Sequence, residues 1–311
     1  MGDMDQAGGS EIFPIFQLLA ITRWIQFASI SVMFGAALFW NCIDSVAPRA
    51  RGATARLLRI AALTAAISGV FWLAEIVVNM TGSASNVFDP ATLRLFFFET
   101  PFGAVAMLRL ILFAAAVLIA VLPWPNRVLF PLNLLVGALL LISQAWLGHA
   151  AEGGGGPFGV MMILVYCVHV LAAAAWVGSL PPLVFALRDL RGLKSAGERT
   201  YETLSRYSIM AMVAVGLIIV SGAVNAGFRS EFSPGRLLDS EYGLVLLVKA
   251  AGVSAMLGLA CFNRFVVTPR LRASAGDAQA ARLRISVSLE LALGVLVLGA
   301  AALLGITPPP G

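Results

Sequence analysis

Apolar positions in this chain fall into long unbroken runs. They lie at about 13–43, 57–79, 101–122, 128–148, 159–187, 203–228, 242–266 and 284–306. Each is long enough to cross a bilayer, which takes roughly 20 mostly apolar residues as helix. The runs are continuous and do not alternate, so they predict helices and not the strands of a barrel. Helix bundles and closed barrels are the two architectures that satisfy a backbone in lipid. The expected fold is therefore all-α, a polytopic integral membrane bundle of about eight transmembrane helices forming a single transmembrane domain over 1–311. Connections of about twenty residues at most leave no room for a second core.

Composition agrees. Of 311 residues, 59% are hydrophobic and 12% charged, with a mean hydropathy of +0.91. A soluble domain carries about twice that charge fraction. The net charge of +5 gains its meaning from where the charges fall. Arg49, Arg51, Arg56 and Arg59 follow the first run, Arg127 the third, and Arg188, Arg191, Lys194, Arg199 and Arg206 the fifth. Arg264, Arg270, Arg272, Arg282 and Arg284 follow the seventh, whereas the alternate connections hold only Arg94, Arg229 and Arg236. By the positive-inside rule both termini are expected in the periplasm. The basic loops read as orientation signals, so no nucleic acid is expected as a partner; the partner that composition demands is the lipid bilayer.

The first run follows an acidic tail (Asp3, Asp5, Glu11) without a basic leader, and is expected to be a retained helix and not a cleaved signal peptide. The "GGGG" at 153–156 reads as a spacer, since no Walker lysine follows it. Cys42, Cys167 and Cys261 show no C-x-x-C spacing, which argues against a disulfide framework or a zinc ribbon.

Ionisable residues inside the runs are functional candidates by default, because lipid makes them costly. They are Arg23, Glu75, Arg109, His169, Lys249 and Glu290. At about 1.5 Å of rise per residue, Arg23, Arg109, His169 and Lys249 lie roughly 10–16 Å below the outer surface. Glu75 lies nearer that surface and Glu290 in the inner half, at a different depth from Lys249. His149, in "WLGHA", closes the fourth run at the outer face. A purely structural account competes at each position. Buried Arg–Glu pairs often only fix helix registry, and Arg23 or Arg109 could pair with Glu75 in that way. A lone histidine can simply bond the next helix. Trp146 and Trp176 serve more often as packing or interface anchors than as site residues.

The helix face narrows the choice for His169. Met162, Tyr166, His169, Ala173 and Trp176 share one side of the fifth run, while Cys167 lies about 200° round from His169. Imidazole with thioether suits copper, methionine favouring Cu(I). Met80, Met161 and Met162 fall near outer helix ends, though methionine is also a common core filler.

The stretch "HVLAAAAWVGSL" (169–180) resembles the signature of the copper resistance protein D (CopD) family of bacterial inner-membrane copper-handling proteins. "RYS" (206–208), "SGAVNA" (221–226), "YGLVLLVKA" (242–250), "NRFVVTP" (263–269), Glu290 and "TPPP" (307–310) continue the likeness in order. The likeness is clearest over 145–311, and covers the first four runs by topology alone. It implies a multi-pass inner-membrane protein of copper transport, copper homeostasis and copper resistance, moving Cu(I) or Cu(II) from periplasm to cytoplasm. A separate periplasmic CopC-like copper-binding protein is an implied partner. His149 and His169 carry over as metal-binding residues; ligand chemistry, and not the resemblance, adds Met162, Met161 and Met80 to make an outer-leaflet site. Lys249, Asn263, Arg264 and Glu290 match motif positions, and Asn263 with Arg264 reads as a clamp on the cytoplasmic loop that follows.

One feature opposes simple transport. Arg23, Arg109 and Lys249 outnumber Glu75 and Glu99, and a net positive field in a low-dielectric site repels a copper cation. It suits an anionic group, so a rival stays open: a redox protein resembling haem b cytochromes, binding haem b or a quinone, such as a cupric reductase. Bis-histidine ligation is opposed by the unequal depths of His149 and His169. The motifs H-E-x-x-H, G-x-S-x-G and the P-loop are absent from the sequence, so catalysis is not the expected role.

Overall fold

The computed structural model describes residues 5–43, 47–147, 154, 156–189, 196–228, 240–273 and 277–307. Within them the chain forms α1 (Asp5–Cys42), α2 (Pro48–Thr81), α3 (Pro90–Glu99), α4 (Gly103–Val121) and α5 (Asn126–Ser143). There follow α6 (Pro157–Asp189), α7 (Ala196–Phe228), α8 (Glu241–Phe262), α9 (Thr268–Ala273) and α10 (Asp277–Leu304). Eight helical segments are long and apolar enough to span a membrane, one for each apolar run, and no strand occurs among the described residues. The short α3 lies in the connection between the second and third spans. Asp89 caps it by accepting from the amides of Ala91 and Thr92, and Pro90 stands at its first position, where a missing N–H costs nothing. Gly82 closes α2 in the left-handed conformation (φ 73°) that a side chain would disfavour.

Helix α1 is the centre of the bundle, packed on α2, α5, α6 and α10. Its approach to α6 is backbone on backbone. A Cβ on Gly178 would sit 1.8 Å from the Ser31 carbonyl oxygen, and one on Gly35 2.2 Å from that of Ala174. Small residues let helices close in this way where lipid supplies no hydrophobic drive between them. The alanines and glycine of "AAAAWVG" therefore serve the α1–α6 crossing. Lipid-facing positions remain large and apolar, among them Ile67, Phe71, Ile111, Val220 and Val248.

The C-terminal half is looser. Helix α7 packs on α6, and α8 packs on α10, but α7 and α8 scarcely touch each other along their spans. Arg264, in the π-helical turn Asn263–Val267 that ends α8, donates to Ser208 of α7. That bond joins "NRFVVTP" to "RYS" and closes one end of the gap, so the clamp acts across to α7. Asn263 contributes through its carbonyl, which accepts from Thr268 at 2.7 Å.

Candidate functional site

Between α1, α6, α7, α8 and α10 lies a cavity of about 480 Å³. Its length follows from α8, whose lining residues run from Tyr242 to Met256, about 21 Å at the rise of a helix. It starts near Tyr242, Leu304 and Gly305 and ends at Trp176 and Met256. Ile219, Ala223, Ala250 and Ser254 line it and are also exposed, so it opens sideways between α7 and α8.

His169 stands in this wall. Its Nδ1 lies 3.0 Å from Ser221 Oγ, and that hydroxyl spends its only proton on the Leu217 carbonyl of its own helix. With that proton on Leu217, Ser221 is placed to accept from Nδ1, the tautomer of a neutral ring that leaves the lone pair on Nε2. Gly222 borders the same edge of the ring: a Cβ there would come 3.4 Å from His169 Cε1 and 3.7 Å from Nδ1, an ordinary van der Waals contact. "SGA" is thus the seat of the imidazole. Its serine is a site residue that sequence reasoning passed over, although a hydroxyl facing an intramembrane histidine was the signal to look for.

Arg23 and Lys249 line the same cavity, and the charge of Lys249 reaches His169. The three share one depth. Ser31 meets Gly178, and Arg23 and His169 lie eight and nine residues from those contacts towards the helix N-termini, about 12 and 14 Å. Met256 and Val177 both pack at Gly294, and Lys249 and His169 lie seven and eight residues from them towards the helix N-termini, about 11 and 12 Å. Arg23 is 8% exposed and its Nε has no hydrogen-bond partner among the described residues, while the guanidinium packs over Phe27 and Trp72 and against Gly305. Among the described residues no carboxylate lines the cavity.

Trp176 forms the floor. Its indole Nε1 donates to Glu290 Oε1 at 2.9 Å, and Glu290 is 2% exposed. The buried Tyr207 ring lies near enough to feel the Glu290 charge, beside Ser179 and Trp176. Glu290 is thus separated from the cavity by one indole.

The remaining candidates lie elsewhere. Arg109 is fully buried, donating to the Leu140 carbonyl at 3.0 Å and to Ser143 Oγ at 2.7 Å, with its guanidinium over Trp72 and Phe113. The registry pair with Glu75 does not form: Glu75 Oε2 accepts from Thr22 at 2.6 Å and Oε1 has no partner. Met80 and Met161 are about half exposed, and neither they nor Met162 line the cavity. Met256 does, and had not been singled out in the sequence. His149 lies outside the described residues. Among those residues no cluster of three His, Cys, Asp or Glu side chains is poised to hold a metal ion.

Comparison with known proteins adds the lineage. The family model described as "Copper resistance protein D-like, N-terminal domain" matches residues 14–160, and that described as "Copper resistance protein D" matches 201–304. The first covers the spans whose likeness had rested on topology; "HVLAAAAWVGSL" falls between the two. The chain is 30% identical to copper resistance protein D of Pseudomonas syringae pv. tomato over 299 residues, 92% of this chain and 95% of the relative. It is 29% identical to inner membrane protein YebZ of Escherichia coli (strain K12), covering 92% and 97%. It is also 29% identical to copper transport protein CutJ of Bacillus subtilis (strain 168), covering 94% of this chain and 53% of that relative. No solved structure matches.

Proposed function

The chain belongs to the copper resistance protein D family, and from that premise we propose that it carries copper through the bacterial inner membrane, from periplasm to cytoplasm, as a carrier and not an enzyme. The basic connections orient the bundle so that the end with Tyr242 and Gly305 faces the periplasm. At that end a separate periplasmic copper-binding protein of the CopC kind delivers the metal, and His149, Met80, Met161 and Met162 take part in its capture.

The observation that carries this reading is the tethered imidazole. A metal-binding histidine is typically fixed through its second nitrogen by a hydrogen bond, and Ser221 supplies that bond here. His169 Nε2 binds copper in the cavity, and Met256 offers a thioether further in, a pairing suited to Cu(I). Beyond the floor, Glu290 exchanges a proton as the metal passes. Movement uphill draws on an ion or metal gradient, or on a cytoplasmic acceptor.

Copper uptake and Cu(I) affinity in His169→Ala and Ser221→Ala test the reading. His169→Ala abolishes uptake, and Ser221→Ala weakens binding about 10–100-fold, as loss of a ligand's supporting partner does. Wild-type uptake in His169→Ala refutes the site. In a background with Cys42, Cys167 and Cys261 replaced, an impermeant thiol reagent labels a cysteine at position 155 and spares one at 195. The reverse pattern overturns the direction.

A further inference from the structure

A bare metal ion uses little of this cavity. Its 480 Å³ falls within the range of sites that hold whole organic molecules, roughly 300–1,000 Å³. Its walls are mostly apolar, from Phe27 and Val170 to Val253 and Val297. One imidazole nitrogen is available to a metal, and two cationic side chains stand at the imidazole's own depth. One of these, Arg23, is buried with a donor that finds no acceptor among the described residues. A buried unsatisfied donor of a charged group calls for an anionic acceptor.

We infer that the cavity binds a metalloporphyrin dicarboxylic acid of the haem class, its iron on His169 Nε2 and its acid groups at Arg23 and Lys249. Each feature selects against an alternative. A quinone is neutral, and so leaves the charge of Arg23 unmatched. A phospholipid headgroup answers the cations but gives Nε2 nothing to bind. A small hydrophilic copper chelate has no use for apolar walls. A flat, apolar chelate with carboxylates on its rim uses the walls, the nitrogen and the cations together, and the opening between α7 and α8 admits it from the bilayer. Ligation by one histidine removes the need for two imidazoles at one depth. This occupancy does not rest on copper passage; it competes with copper for the same nitrogen.

The test is haemin titration of the full-length protein in detergent, followed by absorption, with protoporphyrin dimethyl ester and its free acid compared on the wild type. Saturable one-to-one binding is expected, with a Soret band typical of imidazole ligation. His169→Ala removes that signature, and Arg23→Gln weakens binding about tenfold, the scale of one charge-assisted hydrogen bond. The dimethyl ester binds at least tenfold more weakly than the acid. Equal binding of acid and ester, a spectrum unchanged in His169→Ala, or uptake that only follows detergent concentration overturns the inference. Displacement of haemin by phosphatidate vesicles, with no dependence on His169, assigns the cavity to lipid instead. The ester comparison needs no variant and stands even if Arg23→Gln fails to fold. Copper binding that persists in haem-free protein leaves the carrier reading intact whatever these results.

Discussion

The hydrogen bond at the floor of the cavity permits a quantitative test. Trp176→Phe removes the indole N–H and leaves Glu290 Oε1 buried without its donor. An unsatisfied buried acceptor costs about 1–3 kcal/mol, and more when charged. The smaller ring also leaves a void, so the single variant measures two losses at once. A double-mutant cycle with Glu290→Leu separates them, because the void is present on both sides of the cycle and the hydrogen bond on one only. The expected coupling is about 1–2 kcal/mol, with each single variant less stable than wild type and the pair less damaged than their sum. At about 2 °C per kcal/mol for a chain of this size, the coupling is a shift of a few degrees in thermal unfolding of the purified protein. Losses that add to within about 0.5 kcal/mol refute the reasoning, since independent sites behave in that way.

Two other outcomes follow from the geometry. Gly178→Ala pushes a Cβ to 1.8 Å from the Ser31 carbonyl oxygen, forcing α1 and α6 apart at a cost of about 1–3 kcal/mol in thermal stability; Gly258→Ala, with nothing within 4 Å, serves as the neutral control. Outside the membrane, the Thr92 side chain and then its amide hold the Asp89 carboxyl below its ordinary value. A depressed carboxylate stabilises the folded state above the unfolded pKa of about 3.9 and loses that contribution as pH falls through the folded value. The protection factors of the α3 amides, with the intrinsic pH dependence of exchange divided out, therefore fall as pH drops below about 4, and Asp89→Ala removes that dependence.

The spans were legible because lipid imposes a length and a composition on each crossing. The common depth of Arg23, His169 and Lys249 was legible too, since it needs only counting along helices. Rotation was not. Arg109 and Arg23 read alike in sequence, yet one is sealed against Leu140 and Ser143 while the other lines the cavity. A helix apolar on every side carries no amphipathic stripe to say which face turns inward. For the same reason Met256 gave no sign of lining the cavity, and Glu75 gave none of preferring Thr22 to an arginine. Helix α3 escaped notice because ten residues in a connection lack the length of a span.

The central place of α1 has a consequence for biosynthesis. The guanidinium of Arg23 packs against Gly305, and Trp24 donates to the carbonyl of Val295, 271 residues later in the chain. At about 5–20 residues per second, the ribosome delivers those partners some tens of seconds after α1 has emerged. Throughout that interval α1 holds a charged side chain whose berth is incomplete, with Phe27 and Trp72 already made and Gly305 still to come. It waits at the interface or beside the insertion machinery, and the packing of α1 is complete only when α10 has arrived.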